Sequence, residues 1–131
     1  MKQTWVSRFL KQAEERPNNT AVMDFRGVWT YRTMNRRSAF LAERILRETG
    51  GKPVRVALLM PRVRDFVLCQ LAVLRAGCAM VPIDGEYPAE RVRSILEDSG
   101  CALCLTTAAR AGDAAGVKTL LPEEPTWEVI V

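Results

Sequence analysis

Three stretches of this sequence hold residues whose types and spacing could do chemistry. Asp84, Glu86 and Glu90 fall together in IDGEYPAER, residues 83–91. Carboxylates this close could share acid–base work or hold a hard cation. The same spacing fits a strand end, a turn and a first helical turn, where an acid favours the helix dipole. We read the three as structural. The cysteines, Cys69, Cys78, Cys101 and Cys104, could form a thiolate zinc site or a redox pair. Only Cys101 and Cys104 have the spacing of a zinc knuckle, and they sit in CALCL, which reads as a strand. All four lie in apolar runs, so they read as small buried hydrophobes in a reducing compartment. TGGKP, residues 49–53, sets two glycines before a lysine. A phosphate cradle lies between a strand and a helix N-terminus. Here the glycines follow a helix and precede a strand, and capping with a turn explains them. The remaining glycines match neither G-x-G-x-x-G nor G-x-x-x-x-G-K-[ST]. The sequence has no histidine, which removes Ser–His and Cys–His nucleophile pairs. We assign no catalytic, cofactor-binding or metal-ligating residue.

The elements that would position these residues follow from periodicity. Residues 4–16 predict an amphipathic helix with Trp5, Val6, Phe9, Leu10 and Ala13 on one face and Pro17 as its stop. TAVMDF (20–25) and VWTY (28–31) predict a β-hairpin turning at Arg26-Gly27. Residues 32–48 predict a second helix, with Met34, Ser38, Leu41, Ala42, Ile45 and Leu46 inward and Gly50 as C-cap. Then the pattern changes. RVALLM (55–60), CAMVPI (78–83) and CALCLT (101–106) are continuous apolar runs, as expected of strands buried on both faces. Between them lie an apolar helix, 65–76, and a helix over 88–99. The latter has Pro88 at its start, Glu90 in its first turn, Val92, Ile95 and Leu96 inward and Gly100 at its end. The pattern β-α-β-α-β implies three parallel strands with right-handed crossovers. Residues 106–116 read as a short helix or a loop, and VKTLL (117–121) as a fourth strand.

The fold class is therefore α/β: a parallel sheet flanked by helices, with a leading helix and hairpin, in one domain over 1–131. Within it, 1–53 is the helix–hairpin–helix part, 54–121 the parallel unit and 122–131 a tail. The tail ends on apolar residues, including Trp127, Val129, Ile130 and Val131. It reads as a sheet interrupted before completion, and we expect the raw edge to drive self-association or pairing with a missing remainder. The net charge is +4, from 19 basic and 15 acidic residues. The basic residues are dispersed rather than gathered in a stripe, which argues against a nucleic-acid partner. No apolar run is long enough to span a bilayer, and the charged N-terminal stretch lacks the apolar core of a signal peptide, so a cytoplasmic, non-membrane protein is expected.

Three segments then resemble one family in order and spacing. LRAGCAMVPIDGEYPAERVRSILEDSG (74–100) resembles the second core motif of adenylation domains from nonribosomal peptide synthetases. WTYRTMNRRSAFLAERI (29–45) resembles the first core motif, and VRVALLMPR (54–62) is similar to the stretch between them. Thr33-Met34 stands where the family has Glu-Leu, Met80 where it has an aromatic residue, and Gly85 where it has Pro. The missing Glu would have completed a capping box with Thr30.

The resemblance implies an N-terminal scaffold portion of an adenylate-forming enzyme, incomplete in itself. The intact parent would join ATP to an amino acid, release pyrophosphate and pass the acyl group to a carrier-protein thiol bearing phosphopantetheine. Mg²⁺ would bridge the phosphates. The family's phosphate loop, nucleotide contacts, substrate pocket and catalytic lysine lie downstream and have no matching position here. The chain alone is expected to bind no cofactor and to be inactive. Its expected partners are the remainder of the adenylation domain or a second copy. Two alternatives remain open: a self-sufficient flavodoxin-like module binding a ligand near Pro61–Arg64 or Asp84–Tyr87, and a split or regulatory piece that pairs with the rest of the enzyme.

Overall fold

The computed structural model describes residues 4–114 and 116–122. Trp127, Val129, Ile130 and Val131, on which the expected raw edge was placed, lie outside the described residues.

The chain opens with α1, Trp5–Glu15. Thr4 caps it: the Ser7 N–H donates to Thr4 Oγ1 at 3.1 Å and the Thr4 N–H donates to Ser7 Oγ at 2.8 Å, satisfying two end donors reciprocally. Phe9 and Ala13 are buried, and the Phe9 ring lies 5.6 Å from that of Tyr31. Trp5 and Leu10 are exposed, contrary to the predicted face. An 11-residue helix lying on a neighbour buries a narrow i, i+4 stripe, and these two residues flank it.

The hairpin follows as β1, Thr20–Asp24, and β2, Gly27–Thr30, antiparallel with Asp24 opposite Gly27. The turn is Phe25-Arg26, one residue before the expected Arg26-Gly27. The Asp24 carboxylate fixes it by accepting the Arg26 N–H at 2.8 Å. Helix α2, Tyr31–Thr49, starts at Thr30, whose Oγ1 accepts the Thr33 N–H at 3.2 Å. It ends at Gly50 in the left-handed region, φ +65°. Met34, Ser38, Leu41, Ala42 and Ile45 are buried as predicted, while Leu46 is exposed.

The parallel unit comprises β3, Arg55–Leu59; α3, Arg64–Arg75; β4, Ala79–Ile83; α4, Ala89–Ser99; β5, Leu103–Thr106; and β6, Lys118–Leu120. A single 3₁₀ turn, Ala111–Ala114, lies between β5 and β6. The sheet order is β4-β3-β5-β6 and every pairing is parallel, as the apolar strand pattern predicted. Since β4 and β5 lie on opposite sides of β3, right-handed crossovers send α3 and α4 to opposite faces. Two cores result. Val56, Leu58, Leu103 and Leu105 pack with α1, α2, α3 and the hairpin. Ala57, Leu59, Ile83 and Cys104 pack with Val92 and Leu96 of α4. Two-sided burial explains why β3 and β5 read as unbroken apolar runs, whereas β4, at the sheet edge, departs from that expectation: Ile83 is buried but Ala79 and Pro82 are exposed. Pro88 is the N-cap of α4 rather than its first helical residue.

The hairpin is tied to the parallel unit by charge. Arg26 Nη2 donates to Asp24 Oδ2 at 3.2 Å and to Asp65 Oδ2, in the first turn of α3, at 2.8 Å. Asp24 Oδ2 also accepts the Arg64 N–H at 3.0 Å. The guanidinium of Arg64 lies 4.3 Å from the Trp29 ring centroid, and that of Arg37 lies 5.0 Å from it. These contacts are cation–π in kind.

Candidate functional site

In a parallel sheet the carboxyl ends of the strands are where loops converge and ligands bind. Here the loops after β3, β4 and β5 enclose a cleft of about 630 Å³. Met60, Pro61 and Arg62 come from the first loop, Asp84, Gly85 and Glu86 from the second, and Thr107, Ala109 and Arg110 from the third. Thr106 Oγ1 donates to the Leu59 carbonyl at 2.6 Å and closes the sheet beneath it. Apolar groups dominate the lining, including Phe66 with the Arg62 guanidinium 5.4 Å from its ring centroid.

Of the carboxylates singled out in the sequence, Asp84 and Glu86 line this cleft on one side and Glu90 does not. Asp84 accepts the Glu86 N–H on its side chain at 2.9 Å, and its carbonyl accepts the Tyr87 N–H at 3.1 Å, which makes the turn. Glu90 stands in the first turn of α4, where an acid is favoured. Among the described residues no group of three or more His, Cys, Asp or Glu side chains is placed to hold a metal.

Arg110 went unnoticed in the sequence. Its Nε donates to Asp113 Oδ2 at 2.6 Å, Nη1 to the Gly85 carbonyl at 2.5 Å and Nη2 to the Tyr87 carbonyl at 2.8 Å. The only signal was an Arg and an Asp three residues apart in an Ala/Gly-rich stretch, with nothing to point at the loop more than twenty residues upstream.

The other candidates lie apart from the cleft. Gly50 and Gly51, at φ +65° and +78°, end α2. Gly51 N–H is bonded to the Leu46 carbonyl and Lys52 N–H to that of Thr49, so these donors cap a helix rather than converge on an anion. Cys69, Cys78 and Cys104 are buried and Cys101 is half-buried, all of them free thiols. Burial, aided by Cys101, pushes the Cys104 thiol up to about 12. It is therefore a protonated hydrophobe at neutral pH and a poor nucleophile or ligand.

The sequence matches the AMP-binding enzyme family over residues 9–131. The chain belongs to that family. Gramicidin S synthase 2 of Brevibacillus brevis is 42% identical over 99 residues, which are 75% of this chain and 2% of that protein. Bacitracin synthase 3 of Bacillus licheniformis is 43% identical over 101 residues, 76% of this chain and 2% of that protein. In structure the chain is similar to holo-AB3403, a four-domain nonribosomal peptide synthetase bound to AMP and glycine. The TM-score is 0.82 at 30% identity, over 94% of this chain and 9% of that one. The chain thus spans a small part of the length of the relatives it matches.

These likenesses bear out the resemblance carried by residues 29–45, 54–62 and 74–100. This is an N-terminal portion of an adenylation domain of the nonribosomal peptide synthetase kind. Its hairpin and helix-flanked parallel sheet are the opening part of that fold. The loops named for a flavodoxin-like binding module do meet in the cleft, and nothing in the likenesses favours that module.

Proposed function

We propose that this chain builds the sheet that supports an adenylate-forming site and supplies none of the reacting groups. The parent enzyme would join ATP to an amino-acid carboxylate and release pyrophosphate. It would then transfer the acyl group to the phosphopantetheine thiol of a carrier protein, with Mg²⁺ on the phosphates. That activity makes the parent an ATP-dependent ligase of secondary metabolism, working in the cytoplasm.

The observation that carries the scaffold reading is how the cleft's polar groups are spent. Asp84 is turned onto the Glu86 N–H, and Arg110 is divided among Gly85, Tyr87 and Asp113. A phosphate site needs several donors and cations free to converge on the anion, and here Arg110 is engaged by the fold itself while Arg62 stands over the Phe66 ring. The test is calorimetric titration of the chain with ATP and Mg²⁺, with and without amino acids. No saturable heat is expected. Saturable ATP binding that disappears on unfolding would show that the chain holds a nucleotide site of its own.

A second reading, association of two copies, is favoured by the hairpin. Met23, Phe25 and Val28 are 71%, 87% and 48% exposed, and Met23 and Val28 are cross-strand partners. An apolar patch of this kind marks a partner surface or an aggregation site.

A further inference from the structure

The loop between β4 and α4, residues 84–88, is organised largely by itself. Glu86 and Tyr87 both return their N–H groups to Asp84, and the Arg91 guanidinium lies 4.6 Å from the centroid of the Tyr87 ring, within the same turn and helix. Besides the packing of Tyr87 against the α4-side core, two contacts tie it to the neighbouring loops. At the back, Gly85 lies against the Met60–Pro61 backbone, where an added Cβ would come 3.5 Å from the Met60 carbonyl carbon. At the front, Arg110 reaches across from the loop after β5 and bonds the carbonyls of Gly85 and Tyr87.

We infer that Arg110 is a latch, a positioning residue that fixes the β4–α4 loop against the loop after β5 and so keeps the cleft between them formed. Two carbonyls two residues apart, Gly85 and Tyr87, take the two terminal nitrogens of one guanidinium. The planar fork of arginine suits such a pair, and the single-point ammonium of lysine does not. The third nitrogen, Nε, is bonded to Asp113, which holds the plane of the fork while it reaches the loop. The bonds are charge-assisted and stronger than neutral ones. The guanidinium is only partly exposed, 22% at the side chain, so water competes weakly for the carbonyls. Residues 83–91 lie within the stretch 74–100 that resembles the second core motif, and the latch therefore holds part of that motif from outside it.

Hydrogen–deuterium exchange of the 131-residue chain, read by mass spectrometry over 83–91, 55–60 and 101–106, tests the latch. Arg110→Ala is expected to speed exchange across 83–91 about tenfold, because releasing the loop frees the Glu86 and Tyr87 amides. The sheet segments 55–60 and 101–106 should keep their protection. Arg110→Lys should behave like Arg110→Ala, and Asp113→Asn should move 83–91 the same way by less. Both retain a cation at 110 and carry the test should Arg110→Ala fail to fold. Unchanged exchange over 83–91 would overturn the latch. So would equal acceleration in all three segments, which marks a general loss of stability. Full protection in Arg110→Lys would overturn the fork geometry on which it rests.

Discussion

Asp24 shows how one carboxylate joins two parts of the chain. Burial raises its pKa, and the N–H donors of Arg64 and Arg26 with the Arg26 guanidinium outweigh that, holding it at about 2 against an ordinary 3.8. A depressed carboxylate stabilises the fold above its unfolded pKa, and that contribution is lost as pH falls through the folded value. The hairpin clasp is therefore complete above about pH 3.8 and fails towards pH 2. Asp24→Asn is expected to lower the thermal midpoint at pH 6 and to change it much less at pH 2, as followed by circular dichroism. Cys104 has the opposite sign. Its thiol is raised from 9.0 to about 12 by burial and by Cys101, so the fold loses stability as pH climbs through that window while the unfolded thiol ionises. Denaturant titrations of Cys104→Ala should show a flatter stability profile between pH 9 and 12 than the parent chain. Neither clasp nor thiol shift was legible in the sequence. Asp24 and Asp65 are 41 positions apart, and charged residues in a turn and at a helix start carry no periodicity to connect them.

At the level of elements the caps and strands carry the readable information. Thr30 begins α2 by accepting the Thr33 N–H. Where the family's Glu would have completed a capping box, the Thr33 hydroxyl stands 3.3 Å from that of Thr30. Thr30→Ala should cost about 1 kcal/mol in urea denaturation, the usual value of a lost N-cap. Gly85 replaces the family's Pro, and its backbone is outside the left-handed region. A Cβ there would make ordinary contacts, the nearest at 3.5 Å. Gly85→Ala is expected to be neutral or stabilising by up to ~1 kcal/mol, because alanine restricts the unfolded chain, and the same titration checks it. β3, β5 and the closing glycines at 50 and 100 were legible because burial on both faces and a left-handed cap leave strong local signatures, while β4 was legible from its apolar composition although Ala79 and Pro82 are exposed. The helix faces were legible only in part. Trp5, Leu10 and Leu46 lie on apolar stripes wider than the contact each helix makes. The Arg110 fork was hidden because its partners are carbonyls, which every residue has.

Taken whole, the molecule is a four-stranded parallel sheet with a core on each face. Leu58 is fully buried in the larger core, and Leu58→Ala should cost about 2–5 kcal/mol by lost transfer energy and cavity formation. The hairpin packs Trp29, Ala21 and Val22 on this body and leaves Met23, Phe25 and Val28 exposed. If two copies associate through it, Met23→Lys with Val28→Lys should shift light scattering towards monomer, since charge opposes apolar pairing. An unchanged mass would place any association elsewhere. The central claim is that this region supports an adenylation site without choosing or activating the substrate. It is tested most directly by exchange of parts. The segment of the four-domain synthetase that aligns with this chain is replaced by this chain, and amino-acid-dependent ATP–pyrophosphate exchange is measured with glycine and a panel of other amino acids. Exchange that still depends on glycine is expected, with the same ranking of amino acids as the unmodified enzyme. A folded chimera that prefers a different amino acid would contradict it, because residues of this chain would then be reading the substrate.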